Sequence, residues 1–131
     1  MGLDYGTRRI GVALSDALQL TAQPFAVLET SSGRLRSELL GLVEDNDVEL
    51  VVVGLPVGLS GSETESTAGA RKLAARVGEI TGLPVELADE RFTTRTAEQV
   101  LIGANVRRQR RKQVVDKVAA AVMLQHYLDG R

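Results

Sequence analysis

The stretch GLDYGTRRIGVALSD, residues 2–16, decides the fold of this chain. Two apolar segments flank a polar turn at residues 6–9, and in the second segment Ile10, Val12 and Leu14 alternate with small residues. Alternation with a period of two is typical of a β-strand. The stretch therefore predicts two strands joined by a turn, with large side chains on one face and small ones on the other.

Beyond this hairpin, the sequence predicts three more strands, at residues 25–28, 49–54 and 85–88. Helices are predicted from Ser31 or Ser32 to Asn46, from a capping box of Ser62 and Glu65 to Gly82, from Thr93 or Thr94 to Gly103, and from Val114 to Leu128. A basic loop at residues 107–112 precedes the last helix. Three strands followed by alternating strands and helices predict an α/β fold, with a mixed sheet flanked by helices in one domain, residues 1–131.

The composition narrows the class of protein. The chain has 131 residues, of which 44% are hydrophobic and 25% charged, with no Cys and one His. These values are typical of a globular domain and exclude collagen-like, disordered and disulfide-stapled chains, while zinc sites built on thiolates or several histidines are excluded as well. Because no apolar run approaches the roughly 20 residues that span a bilayer and the first residues do not resemble a signal peptide, we expect a cytoplasmic protein without membrane contact.

The near-zero net charge conceals an asymmetry along the chain. Residues 1–65 carry 4 basic and 10 acidic side chains, a net charge of −6, whereas residues 66–131 carry 12 basic and 7 acidic ones, a net charge of +5. Eight of the basic residues fall between Arg91 and Lys117. A basic stretch of this kind binds a polyanion whatever the total charge is, and a solvated loop is the alternative for residues 107–112.

Three acidic residues stand apart from the solvated surface acids. Asp4 lies in an apolar strand, Glu90 follows the carboxyl end of the fifth strand, and Asp116 opens the last helix beside small residues. Each also has a structural explanation: turn chemistry for Asp4, an ion pair with Arg91 for Glu90, and the helix dipole for Asp116. A buried carboxylate cluster is costly unless a cation neutralises it, and oxygen ligands favour Mg²⁺ or Mn²⁺.

Four segments together resemble the YqgF/RuvX family of ribonuclease H-like proteins. They are residues 2–13, Gly54-Leu-Pro with its Gly61-containing loop, residues 89–94 and residues 115–120. The resemblance extends over essentially the whole chain. The resemblance implies a ribonuclease H-like fold with a five-stranded sheet in the order 3-2-1-4-5. It also implies that Asp4, Glu90 and Asp116 are the catalytic residues and bind a pair of Mg²⁺ or Mn²⁺ ions.

The resemblance further implies a hydrolase, a metal-dependent endonuclease that cleaves phosphodiester bonds and processes the 5′ end of precursor 16S ribosomal RNA. The alternatives are a Holliday junction resolvase acting on four-way DNA and a non-catalytic nucleic-acid-binding factor in transcription. A sugar-kinase-like phosphotransferase is less consistent with the length, since such enzymes need two lobes. Ala119 stands one turn after Asp116, where junction resolvases of this fold carry an acid or His, which favours RNA over branched DNA.

The basic residues near the three acids are the predicted contacts for nucleic acid. They lie in the first hairpin turn, next to Glu90 and ahead of Asp116, and comprise Thr7, Arg8, Arg9, Arg91, Arg107, Arg108, Arg110, Arg111 and Lys112. Structured or single-stranded RNA is the expected partner. Both a monomer and a homodimer are compatible with the sequence.

Overall fold

The computed structural model describes residues 1–56, 64–89 and 108–130, and within the last range the side chains from residue 114 onward. Along the chain the strands and helices are β1 (Gly2–Asp4), β2 (Arg9–Ser15), β3 (Ala22–Glu29), α1 (Leu35–Asp45), β4 (Val51–Leu55), α2 (Glu65–Thr81), β5 (Val85–Asp89) and α3 (Arg108–Asp129). The helix predicted between Thr93 or Thr94 and Gly103 lies outside the described residues.

The strands form one five-stranded sheet in the order β3-β2-β1-β4-β5, as the family resemblance implied. The first three strands pair antiparallel, while β1 pairs parallel with β4 and β4 parallel with β5. The carboxyl ends of β1, β4 and β5 therefore meet at one edge of the sheet. Open α/β sheets bind their ligands at such an edge.

The two faces of the sheet carry different side chains, as the alternation in β2 predicts. On one face Ile10 and Val12 join Leu3 and Val53 in a core with residues of α1 and α2. On the other face Ala13 packs with Val52 against residues of α3. The small residues of β1 and β2 thus allow α3 to lie close to the sheet.

The start of α2 differs from the sequence prediction. Thr64, not Ser62, is the N-cap, and Glu65 is the first helical residue. Thr64 and Thr67 form a reciprocal capping box, and Thr67 is fully buried and donates its hydroxyl hydrogen bond to the Pro56 carbonyl. The predicted box of Ser62 and Glu65 is therefore wrong, because this contact with the end of β4 sets where the helix begins.

The start of α3 also differs. Residues 108–112, predicted to be a loop, are helical. No Gly or Pro occurs between Arg108 and Asp129, and Arg, Lys and Gln are good helix formers, so nothing in the local sequence opposes helix formation. Asp116 consequently lies in the third turn of α3. The alternative explanation of Asp116 as a first-turn acid stabilised by the helix dipole is therefore wrong. No helix in the described ranges is long and apolar enough to cross a membrane.

Candidate active site

Asp4 lies at the carboxyl end of β1, in a row of residues that have little or no side chain. It pairs with Gly11 of β2 and Gly54 of β4, and Gly54 in turn pairs with Ala88 of β5. Directly opposed residues project to the same face of a sheet. Asp4 is only 8% exposed, so its carboxylate is the one large polar group of a row whose other members leave space beside it.

The third turn of α3 lies directly over this row. A Cβ atom added to Gly11 would be 1.8 Å from the Asp116 carbonyl oxygen, so no side chain fits there. Gly11 is the direct partner of Asp4 across the β1–β2 pair, and paired strands are about 4.8 Å apart, so the Asp116 backbone lies over the strand next to Asp4. Gly11 therefore permits the approach that brings Asp4 and Asp116 to the same face of the sheet.

The Asp116 carboxylate already has a cationic partner. The Arg9 Nε donates a hydrogen bond of 2.6 Å to the Asp116 Oδ2, and the two side chains are 33% and 25% exposed. Arg9 is the first residue of β2 and lies two residues from Gly11, so its side chain projects to the same face. Sequence analysis predicted that Arg9 contacts nucleic acid; in the structure, its side chain pairs with Asp116, a predicted metal ligand.

The β1–β2 turn is fixed by a residue that sequence analysis missed. The Thr30 backbone N–H donates to the Arg8 carbonyl at 3.0 Å, and the Thr30 hydroxyl donates to the Gly6 carbonyl at 2.7 Å. Thr7 and Arg8 are exposed and, with Arg9, line a cavity of about 540 Å³ beside the end of β3. Because Thr is common directly after a strand, the sequence alone does not indicate that Thr30 anchors the β1–β2 turn.

Three of the remaining predicted site residues lie outside the described residues, namely Glu90, Arg91 and Arg107. The backbones of the other four basic residues lie in the first turns of α3, namely Arg108, Arg110, Arg111 and Lys112. Asp89, the last residue of β5, pairs with Leu55 and so belongs to the face opposite Asp4.

The donors that converge here are suited to a hard divalent cation. Within the described ranges no group of three or more Asp, Glu, His or Cys side chains is close enough to hold a metal ion. Asp4 and Asp116 nevertheless lie on one face of the sheet, and both offer carboxylate oxygens. The Asp116 carboxylate accepts a hydrogen bond from the positively charged Arg9 guanidinium, which takes the place that a metal cation would have there. This donor set fits Mg²⁺ or Mn²⁺, with Glu90 as the predicted third ligand.

Comparison with known proteins identifies relatives along the whole chain. Residues 1–130 match the RuvX family, described as Holliday junction resolvase. A protein of Lactococcus lactis named "Putative pre-16S rRNA nuclease" is 43% identical, with 99% of this chain and 93% of that protein aligned. A protein of the same name from Geobacillus kaustophilus is 41% identical over 100% of this chain and 97% of its own length.

Solved structures support the fold independently. Thermus thermophilus RuvC in complex with a Holliday junction substrate superposes with a TM-score of 0.60 at 20% identity, covering 99% of this chain and 92% of that chain. A second Thermus thermophilus RuvC structure gives a TM-score of 0.53 at 19% identity, with 99% and 93% covered. The fold is therefore ribonuclease H-like, as the sequence resemblance implied.

Proposed function

The chain belongs to the RuvX family, and we propose that it is a metal-dependent endonuclease that processes the 5′ end of precursor 16S ribosomal RNA. The observation that carries the proposal is the convergence of Asp4 and Asp116 on one face at the carboxyl edge of the sheet. Two carboxylates held in this way are costly unless they bind a cation. The relatives named as pre-16S rRNA nucleases support RNA as the substrate.

In the proposed mechanism, Asp4, Glu90 and Asp116 hold a pair of Mg²⁺ or Mn²⁺ ions. When bound, such ions activate the attacking water and stabilise the leaving oxygen of a phosphodiester. Asp4 is fixed by the pairing of β1 between β2 and β4, and Asp116 by the contact of α3 with Gly11. Rigid placement of these acids keeps the reacting groups in line.

The proposed nucleic-acid contacts surround these acids. Thr7 and Arg8 are exposed in a turn that Thr30 anchors, next to the strand that carries Arg9. On the other side, Lys112 precedes Asp116 by one helical turn of α3. Arg91, Arg107, Arg108, Arg110 and Arg111 add further positive charge for the phosphate backbone.

Cleavage of four-way DNA is the second candidate function, and the RuvX description and the RuvC superposition favour it. Against it, Ala119 is fully buried one turn after Asp116, where the resolvases are expected to carry a further acid or His. A charged side chain at this buried position would need a cation or hydrogen-bond partner to offset the loss of its hydration, and Ala119 has no group for such a role. The absence of an acid or His at this position supports RNA as the preferred substrate.

The deciding experiment compares cleavage of a precursor 16S RNA fragment and of a four-way DNA junction, each with Mg²⁺ or Mn²⁺. We expect metal-dependent cutting of the RNA by the wild-type chain, and a loss of about a hundredfold or more for Asp4→Asn and Asp116→Asn. Asp129→Asn is the matched control, because Asp129 lies at the far end of the same helix, 13 residues from Asp116.

Two outcomes of this experiment contradict the proposal. Junction cleavage without RNA cleavage would replace the substrate with branched DNA. Metal-dependent cleavage of neither substrate would remove the enzyme assignment. In a separate cellular assay, complementation by Asp4→Asn would favour a non-catalytic nucleic-acid-binding factor in transcription.

A further inference from the structure

The ion pair between Arg9 and Asp116 joins two residues that both belong to the proposed active site. Arg9 was expected to contact nucleic acid and Asp116 to bind a metal ion, yet the Arg9 Nε lies 2.6 Å from the Asp116 Oδ2. In this arrangement the guanidinium and a divalent cation require the same carboxylate. A change of partner by Arg9 reconciles the two expectations.

We propose that Arg9 is the internal counter-ion of Asp116 and competes with a divalent cation for that carboxylate, so that cation binding frees Arg9 to contact a phosphate of the nucleic acid. This inference rests on the proposed function and extends it to the order of events. Cation binding would then have two effects: it would occupy the carboxylates and it would make the Arg9 side chain available to the nucleic acid.

The charges on this face explain why the counter-ion is needed. Asp4 is 8% exposed and projects to the same face as Asp116, so without a cation two carboxylates would repel each other. An Arg side chain suits this role because it stays charged at any ordinary pH and its planar group donates hydrogen bonds in a fixed geometry.

The exposure of the pair explains why the exchange is feasible. The Arg9 and Asp116 side chains are 33% and 25% exposed, so both remain in contact with solvent. Ion pairs that water reaches contribute little net free energy. A cation that binds several oxygen ligands at once is therefore able to displace a single guanidinium.

The freed guanidinium has a suitable place to bind a phosphate. Arg9 lines the same cavity of about 540 Å³ as Thr7, Arg8 and Ser31. These residues offer hydroxyl groups and a second guanidinium, both of which bind phosphate oxygens. Glu29, which pairs with Arg9 across the β2–β3 ladder and lines this cavity, is the competing acceptor.

Calorimetric titration with Mn²⁺, without nucleic acid, tests the competition. We expect Arg9→Met to bind Mn²⁺ about two- to fivefold more tightly than the wild-type chain, since a competing positive charge is gone. Arg9→Lys keeps the charge and should bind nearly as the wild type does. Arg36→Met is the control, because Arg36 lies on α1, which packs on the opposite face of the sheet. Equal or weaker Mn²⁺ binding by Arg9→Met, or no Mn²⁺ binding by any of these chains, would overturn the competition.

A double-mutant cycle tests the change of partner. Affinity for a single-stranded RNA oligonucleotide is measured in EDTA, so that no metal-dependent cleavage occurs. In the wild-type background, Arg9→Met should lower the affinity for RNA by less than about twofold, because Asp116 already holds the Arg9 side chain. In the Asp116→Asn background, where the charged partner of Arg9 is gone, the same substitution should lower the affinity for RNA by about threefold or more. Equal costs in both backgrounds would refute the exchange.

These measurements separate the inference from the proposed function, since neither involves cleavage. Tighter Mn²⁺ binding by Arg9→Met in a chain that cuts no substrate would support the counter-ion role and remove the nuclease assignment. Metal-dependent cleavage that Asp4→Asn abolishes, together with unchanged Mn²⁺ binding by Arg9→Met, would keep the nuclease assignment and remove the counter-ion role.

Discussion

At the scale of single residues, Asp16 holds the connection between β2 and β3. Its Oδ1 accepts hydrogen bonds from the backbone N–H groups of Leu20 at 2.7 Å and Thr21 at 3.2 Å. These bonds to Leu20 and then Thr21 lower the pKa of the Asp16 carboxyl below its ordinary value. The charged form of Asp16 therefore stabilises the folded chain.

The consequence is a pH-dependent contribution to stability. Because the folded-state pKa of Asp16 lies below that of the unfolded chain, about 3.9, its contribution is complete above about pH 5 and is lost as the pH falls through the folded-state value. We expect Asp16→Asn to lower the free energy of unfolding at pH 7, and the difference from the wild type to shrink as the pH falls below about 5. Urea unfolding at pH 7, 5 and 3 measures this difference, and a difference that does not change with pH would contradict the explanation.

The sequence was enough to select Asp4 and Asp116 as candidate metal ligands, whereas the pairing of Asp116 with Arg9 could not be predicted from it. An acid among apolar strand residues is costly enough to indicate a function, so Asp4 could be selected without a structure. The partner of Asp116 lies 107 residues away at Arg9, and no local pattern reports such a distance. Thr30 could not be predicted for the same reason, because its hydroxyl meets the Gly6 carbonyl, 24 residues away, only once the strands have paired.

At the scale of strands and helices, local pattern predicted the elements better than their ends. Alternation in β2 predicted the strand and its two unlike faces, because burial against two different layers imposes that period. The first residue of α2 is set instead by the contact of Thr67 with Pro56. The sequence prediction of a basic loop at residues 107–112 fails over residues 108–112, whose backbone propensity favours the helix that forms.

The contact between β2 and α3 gives a prediction at this scale. Gly11→Ala places a methyl group 1.8 Å from the Asp116 carbonyl oxygen, and backbone cannot move aside as a flexible side chain can. We expect a loss of about 3 kcal/mol or more in the free energy of unfolding, and strongly reduced nuclease activity because Asp116 is displaced from Asp4.

Gly41→Ala provides the matched control for this substitution. Gly41 lies within α1, and a Cβ atom added there meets nothing within 4 Å. Since Ala is the better helix former, this variant should be more stable by about 0.5–1 kcal/mol with unchanged activity. Thermal and urea unfolding measure both variants, and a Gly11→Ala chain as stable as the wild type would contradict the close contact.

At the scale of the whole molecule, the charge asymmetry and the fold have to be considered together. The sheet places β1, which carries Asp4, at its centre between β2 and β4. Helix α3 then brings a basic amino-terminal segment and Asp116 to the same face as Asp4. The opposite face is covered by α1 and α2. A nucleic acid is therefore expected to approach from the start of α3.

This orientation predicts which cations set the salt dependence of RNA binding. Each phosphate contact with a single strand contributes a slope of about 0.7 to the decrease of log K with log salt. The pair Arg108→Gln and Lys112→Gln should therefore reduce that slope by about 1.4, whereas Arg34→Gln with Arg36→Gln, at the start of α1, should leave it unchanged. Fluorescence anisotropy of a labelled RNA oligonucleotide in EDTA, over a series of KCl concentrations, measures both slopes. Equal reductions by the two pairs would mean that charge alone, and not the face presented by α3, directs the RNA.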